Sequence, residues 1–193
     1  MAQSPLRHVP NVISALRLLA VFVLAGLAWR HAATAFAWLL VAALVSDVAD
    51  GLIARLFHVT STLGALLDST ADSLLLLAAG YGALVFHPEV VREHWPAVAL
   101  LLGFWVFENL AALARYGRLS SFHTYLSKMA GYGLGIFIGV LFLFGYSGWL
   151  LHLAVGLSVA GNIEELWLLG LLPAWEPDVK GVWWVRRRGG AMP

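Results

Sequence analysis

Apolar residues fill this chain in six long stretches separated by short polar joints, at 11–29, 33–57, 62–86, 95–115, 128–146 and 149–172. Each is about as long as an α-helix must be to cross a hydrocarbon core of roughly 30 Å. The pattern predicts an all-α integral membrane protein with six transmembrane helices. Residues 1–172 would form one membrane domain and 173–193 a short tail. The joints read HPEVVREHW between the third and fourth stretches, RYGRLSSFHTYLSK between the fourth and fifth, and YSGW between the fifth and sixth. Small residues follow the first stretch at HAATAFA, as they would after a cleaved leader. Charge flanks this stretch on both sides and it opens a six-span bundle, so it is expected to remain as a span.

Composition sharpens this picture. Charged residues make up 12% of the chain, about half the usual fraction of roughly 25% in soluble domains. There is no cysteine, which excludes disulfides, a thiol nucleophile and thiolate metal sites. The seven histidines are scattered, with no pair at i, i+4 to suggest a histidine metal site. With both termini in the cytoplasm, Arg7, Arg17, Arg55, Arg115, Arg118, Lys128, Lys180, Arg186, Arg187 and Arg188 lie inside. Only Arg30 and Arg92 then lie outside. Ten cations against two predict that orientation in an inner (cytoplasmic) membrane.

One stretch runs against the apolar background: 46-SDVADGLIARLFHVTSTLGALLDSTAD-72. It holds Asp47, Asp50, Asp68 and Asp72, four of the chain's five aspartates. Asp47 and Asp50 are three apart, and Gly64, Asp68 and Asp72 follow at intervals of four, so each helix carries its acids on one face. The short joint 57-FHVTS-61 makes the second and third helices antiparallel neighbours whose acidic faces can meet. Gly51, Ala54 and Gly64 lie among the acids and leave room for a ligand or another backbone. An aspartate in mid-membrane costs roughly 2.5–3.5 kcal/mol on insertion scales. Arg55 alone does not neutralise four. Two divalent cations would, and oxygen ligands without histidine suit Mg²⁺ or Mn²⁺. Intramembrane carboxylates also mark ion and proton pathways, so a small cation or proton transporter is the competing reading. A purely structural membrane protein would carry the acids at a loss of stability.

The spacing D-x2-D-G-x2-A-R-x8-G-x3-D-x3-D is filled by Asp47, Asp50, Gly51, Ala54, Arg55, Gly64, Asp68 and Asp72. It resembles the signature of the CDP-alcohol phosphotransferase family at every fixed position. The opening of the first helix, 10-PNVISALR-17, also resembles that family. The resemblance implies a membrane-embedded bundle that moves a substituted phosphoryl group from a CDP-alcohol to a second alcohol and releases CMP. By the same resemblance Asp47, Asp50, Asp68 and Asp72 would ligate two divalent cations, with Asp72 also serving as general base. Arg55 would contact the diphosphate, Gly51 and Ala54 would leave room for cytidine, and Gly64 belongs to the same donor site. Asn11 and Arg17 join the candidates at the start of the first helix. The donor expected is CDP-diacylglycerol, the acceptor glycerol 3-phosphate ahead of inositol phosphate or serine, and the assembly a homodimer.

The joint 115–128 gathers Arg115, Arg118, His123 and Lys128. These suggest a pocket for an acceptor phosphate, or a loop attracted to anionic headgroups. Lys128 resembles a lysine that family members place there. The joint departs from the Gly-Lys preceding Lys-Thr of the glycerol-phosphate branch. Gly131, Gly135 and Gly139 recur every four residues, as in close helix contacts within or between protomers. Glu108, Asn109, Asn162, Glu164 and Glu165 would hydrogen-bond between helices or line an acceptor cavity. In the tail, Trp183 and Trp184 beside three arginines suit a membrane interface better than nucleic acid.

Overall fold

The computed structural model describes residues 9–57, 62–118, 120, 122, 124–176 and 179–189, with side chains left aside at 9–12, 49–57, 62–69 and 188–189. Among the described residues the chain is all α-helical, without strands. The helices are α1 (Val9–Trp29), α2 (Ala33–Phe57), α3 (Thr62–Phe86), α4 (Pro88–Glu93), α5 (Trp95–Tyr116), α6 (Tyr125–Phe144), α7 (Gly148–Leu171) and α8 (Val182–Gly189). Six of these match the six apolar stretches. The short helices α4 and α8 lie in segments expected to be a joint and a tail. Pro88 at the first position of α4, Glu89 in its first turn and Arg92 in its last are the usual end signals of a short helix.

The helices α5, α6 and α7 are long and apolar enough to cross a membrane, and shorter apolar segments lie within α1, α2 and α3. Large apolar side chains such as Phe22, Trp29, Phe107 and Phe144 point outward, as lipid-facing positions do. The chain is a multi-pass membrane protein.

It divides into two compact units. The first comprises residues 1–93 with 142–144, the second 94–141 with 145–193. In the first unit α1 lies against both α2 and α3, which also meet each other, and α4 adjoins α3. Its core is built of small and branched side chains: Leu24, Ala28, Leu40, Ala43, Leu75, Ala78 and Ala79. Phe36 closes one end, with its ring centroid 5.2 Å from Phe86 and 5.1 Å from Phe142. Gly82 makes room for it, because a Cβ there would run into the Phe36 ring. The turn between α1 and α2 sets His31 at φ 52°, and Ala32 N–H donates back to Leu27 at 2.9 Å.

The second unit is organised on α5 against α7, with α8 folded back on α7. Ala112, Phe122, Leu168, Leu169, Leu172, Val179 and Val182 form its buried cluster. Part of the expected tail is therefore core. Tyr116 donates its hydroxyl to the Leu172 carbonyl at 2.8 Å, and Arg115 Nη2 donates to the same oxygen at 3.2 Å, so the end of α5 caps the end of α7. Gly117 ends α5 in the left-handed conformation, φ 67°, with its N–H on Leu113. Thr124 caps α6, accepting from Ser127 N–H at 3.1 Å. Gly161 brings α7 close to the Ser127 backbone, where a Cβ would stand 3.2 Å from Ser127 Cα.

Within the chain, one glycine of this part of α6 serves close packing. Gly133 faces α7, near Leu157 and Ala154, whereas a Cβ on Gly131 or Gly135 would meet nothing within 4 Å. The helix turns the intervening glycine inward.

Candidate active site

The site begins with a charge in the middle of an apolar helix. Arg17 lies near the centre of α1, and its side chain has no exposed surface. An arginine keeps its charge in any environment, so burial demands anionic partners. It finds two. Arg17 Nη1 lies 2.8 Å from Asp47 Oδ1 and 2.6 Å from Asp72 Oδ1. Asp47 comes from α2 and Asp72 from α3. Three helices thus meet at one nitrogen. Buried Ser14 lies one turn before Arg17, and Ala71 beside Asp72 is also fully buried. Ser46, next to Asp47, donates its hydroxyl back to the Ala43 carbonyl at 2.8 Å.

The two carboxylates differ from their cation in accessibility. Their side chains are 38% and 45% exposed, against 0% for Arg17. Arg17 therefore holds them from the buried side and each keeps an open side. This is how the acidic faces of α2 and α3 come together: through a guanidinium from α1, which the expectation of Arg55 as the lone cation did not include. A charged residue at the centre of an apolar run was the available signal.

Asp50, Gly51, Ala54 and Arg55 lie on α2, Gly64 and Asp68 on α3, and Asn11 on α1. Their side chains fall outside the described residues. Arg115, Arg118 and Lys128 belong to the second unit. Arg115 caps α7, as above, and the Arg118 guanidinium lies 5.2 Å from the Trp175 ring centroid. Lys128 sits in the first turn of α6, its N–H donating to Thr124 at 3.0 Å. His123 lies outside the described residues.

Among the described residues no three His, Asp or Glu side chains assemble as a metal site. Asp47 and Asp72 supply two of the four signature carboxylates. Their donors are hard oxygens, they converge from two helices, and each has an exposed side. That donor set fits Mg²⁺ or Mn²⁺.

A second group of acids lies in the second unit. Glu108 of α5 and Glu165 of α7 are buried and face each other within hydrogen-bonding reach. The Ser120 hydroxyl donates to Glu165 Oε2 at 3.0 Å. Glu164 Oε1 accepts the Val182 N–H at 3.2 Å and so caps the start of α8. Asn109 bonds within its own helix, Nδ2 to the Trp105 carbonyl at 2.9 Å. Glu164 and Glu165 thus join separate segments of the second unit, whereas Asn109 does not.

The model of the CDP-alcohol phosphatidyltransferase family matches residues 7–160. Two mycobacterial proteins, from Mycobacterium tuberculosis (strain H37Rv) and Mycobacterium bovis, each named "Putative cardiolipin synthase", are 34% identical over 136 residues. These alignments cover 69% of this chain but 63% of the relatives, so the chain matches under two thirds of their length. A Streptomyces coelicolor protein named "Cardiolipin synthase (CMP-forming)" is 32% identical over 173 residues, 85% of this chain and 80% of its own. No solved structure matches significantly. The chain belongs to the CDP-alcohol phosphatidyltransferase family, and the matched residues include both helices that carry the aspartates and the α1 that joins them.

Proposed function

We propose that this protein transfers a phosphatidyl group from CDP-diacylglycerol to the hydroxyl of a polar alcohol, releasing CMP. The observation that carries the reading is the convergence of Asp47 and Asp72 on Arg17 within the family's signature spacing. In the reaction the acceptor oxygen bonds to the phosphatidyl phosphorus as the bond from that phosphorus to the CMP oxygen breaks. Asp72, exposed on one side, takes the acceptor's proton. Asp47, Asp50, Asp68 and Asp72 would hold two divalent cations, which supply charge neutralisation at the diphosphate and at departing CMP. Arg55 would bind the diphosphate, with Asn11, Gly51, Ala54 and Gly64 lining the donor side.

The relatives' names refine the acceptor. Cardiolipin carries two phosphatidyl groups on one glycerol, so its CMP-forming synthesis adds the second to a lipid that already bears the first. Phosphatidylglycerol therefore becomes the preferred acceptor, ahead of glycerol 3-phosphate, inositol phosphate and serine. Lys128, Arg115 and Arg118 remain the cations proposed for the acceptor's phosphate. The reading also includes six membrane crossings, cytoplasmic termini and aspartates, a homodimer, and 1–172 as the catalytic domain with 173–193 as interfacial tail. The distribution of cations along the chain supports the orientation, the apolar stretches support the crossings, and the homodimer rests on the family resemblance.

The test is CMP release by purified protein from CDP-diacylglycerol with Mg²⁺ or Mn²⁺, against a panel of these acceptors. Release that needs phosphatidylglycerol supports the full reading. Release with glycerol 3-phosphate alone would keep the reaction and change the acceptor. No release from folded protein with any acceptor would refute the transferase reading and favour a cation pathway.

A further inference from the structure

We propose that Arg17 couples cation binding to donor binding: it weakens the hold of Asp47 and Asp72 on divalent cations until a diphosphate is present. The inference rests on the functional reading above. It starts from a shared ligand. The same two carboxylates that would serve the cations already contact one guanidinium nitrogen, at 2.8 and 2.6 Å. Arg17 is wholly buried and its charge is permanent. A divalent cation taken up by Asp47 and Asp72 must therefore share their charge with Arg17 and is repelled by it. Repulsion between charges a few Å apart is strong in a site of reduced dielectric.

The charge count points the same way. On the functional reading above, two divalent cations would neutralise the four signature aspartates, so Arg17, with Arg55 in its proposed place at the diphosphate, would leave the site with two positive charges. A diphosphate diester brings two negative ones. The site is balanced only when cations and donor are both bound. Reciprocity then follows: if the donor tightens cation binding, cations tighten donor binding by the same factor. Arg17 is a positioning residue in this scheme, since it acts through the two carboxylates.

A purely structural Arg17 gives the opposite expectation. As a strut alone, its removal would loosen the carboxylates and weaken cation binding, with no effect on coupling. The two cases separate in a binding experiment that does not need turnover. Free Mn²⁺ is measured by electron paramagnetic resonance with the full chain in detergent micelles, with and without saturating CDP-diacylglycerol. Mn²⁺ bound by the donor alone is subtracted. For the native protein the donor should tighten Mn²⁺ binding. Arg17→Gln should bind Mn²⁺ about tenfold more tightly without donor, and the donor's effect should shrink. Arg17→Lys, which keeps the charge, should retain the native coupling.

Equal or weaker Mn²⁺ binding by folded Arg17→Gln overturns the inference while leaving the transferase reading intact. A native protein whose Mn²⁺ affinity ignores the donor overturns it without any variant, even where Arg17→Gln fails to fold. A native protein that binds no Mn²⁺ in either condition removes the metal reading itself, and the inference with it.

Discussion

Arg17 and Asp72 are 55 positions apart in the chain, and their side chains meet at 2.6 Å. Asp72 is thus held on its buried side by a cation and open on the other. The two substitutions Asp72→Asn and Asp72→Ala should separate chemistry from stability. Asn keeps the size and a hydrogen-bond acceptor but cannot take a proton. It should abolish CMP release in a folded protein. Ala also strips the contact from a buried arginine and should lower stability by about 1–3 kcal/mol more, below the roughly 3–5 kcal/mol for a fully buried pair because Asp72 is half exposed. Thermal unfolding beside the activity assay reads both, and turnover retained in Asp72→Asn excludes it as the base.

Removing divalent cations tests the oxygen donor set. Dialysis against a chelator should stop CMP release, and Mg²⁺ or Mn²⁺ should restore it. Full activity in the chelator means that the carboxylates serve something other than metal binding.

Gly82 and Gly135 make a paired prediction. Gly82→Ala drives a methyl group into the Phe36 ring and should destabilise by about 1–3 kcal/mol. Gly135→Ala meets open space within the chain and should be neutral or slightly stabilising through helix propensity. Where the native protein runs as the proposed dimer on a sizing column, loss of that dimer in Gly135→Ala would place the contact on this face of α6.

Arg115 and Lys128 can be told apart by what their loss changes. Arg115 bonds the carbonyl of Leu172, the residue that caps α7, so Arg115→Ala should lower stability by about 1 kcal/mol. Lys128→Ala should mainly raise the KM for the acceptor. An Arg115→Ala variant with native stability and a raised acceptor KM would move it into the acceptor pocket.

Much of this architecture was legible in the apolar pattern. The ranges expected for the second and third helices, 33–57 and 62–86, are those observed for α2 and α3, because their ends coincide with sharp changes in polarity. The fifth stretch began three residues late. Apolar content rises at Lys128, but the helix starts where Thr124 receives the Ser127 N–H, a cap in a polar segment. Its end was also set by backbone: Gly145 at φ 98° stops α6 before Tyr146. Capping and hydropathy are different signals, and α4 and α8 carry only the first. The signature spacing marked Asp47 and Asp72, but spacing within each helix cannot tell what lies between two helices. That required α1, and with it Arg17.

The joining of α1, α2 and α3 at one buried charge also bears on how the chain is made. Synthesis delivers α1 first, carrying an arginine that lipid alone accommodates at a penalty of roughly 2.5–3.5 kcal/mol. Its first anionic partner follows on α2, and the second only once α3 has emerged. The full set of contacts exists only then, so the first helix should stay beside the insertion machinery until the third has arrived. A ribosome stalled before residue 72 should leave α1 crosslinkable to that machinery, and one stalled well after it should not.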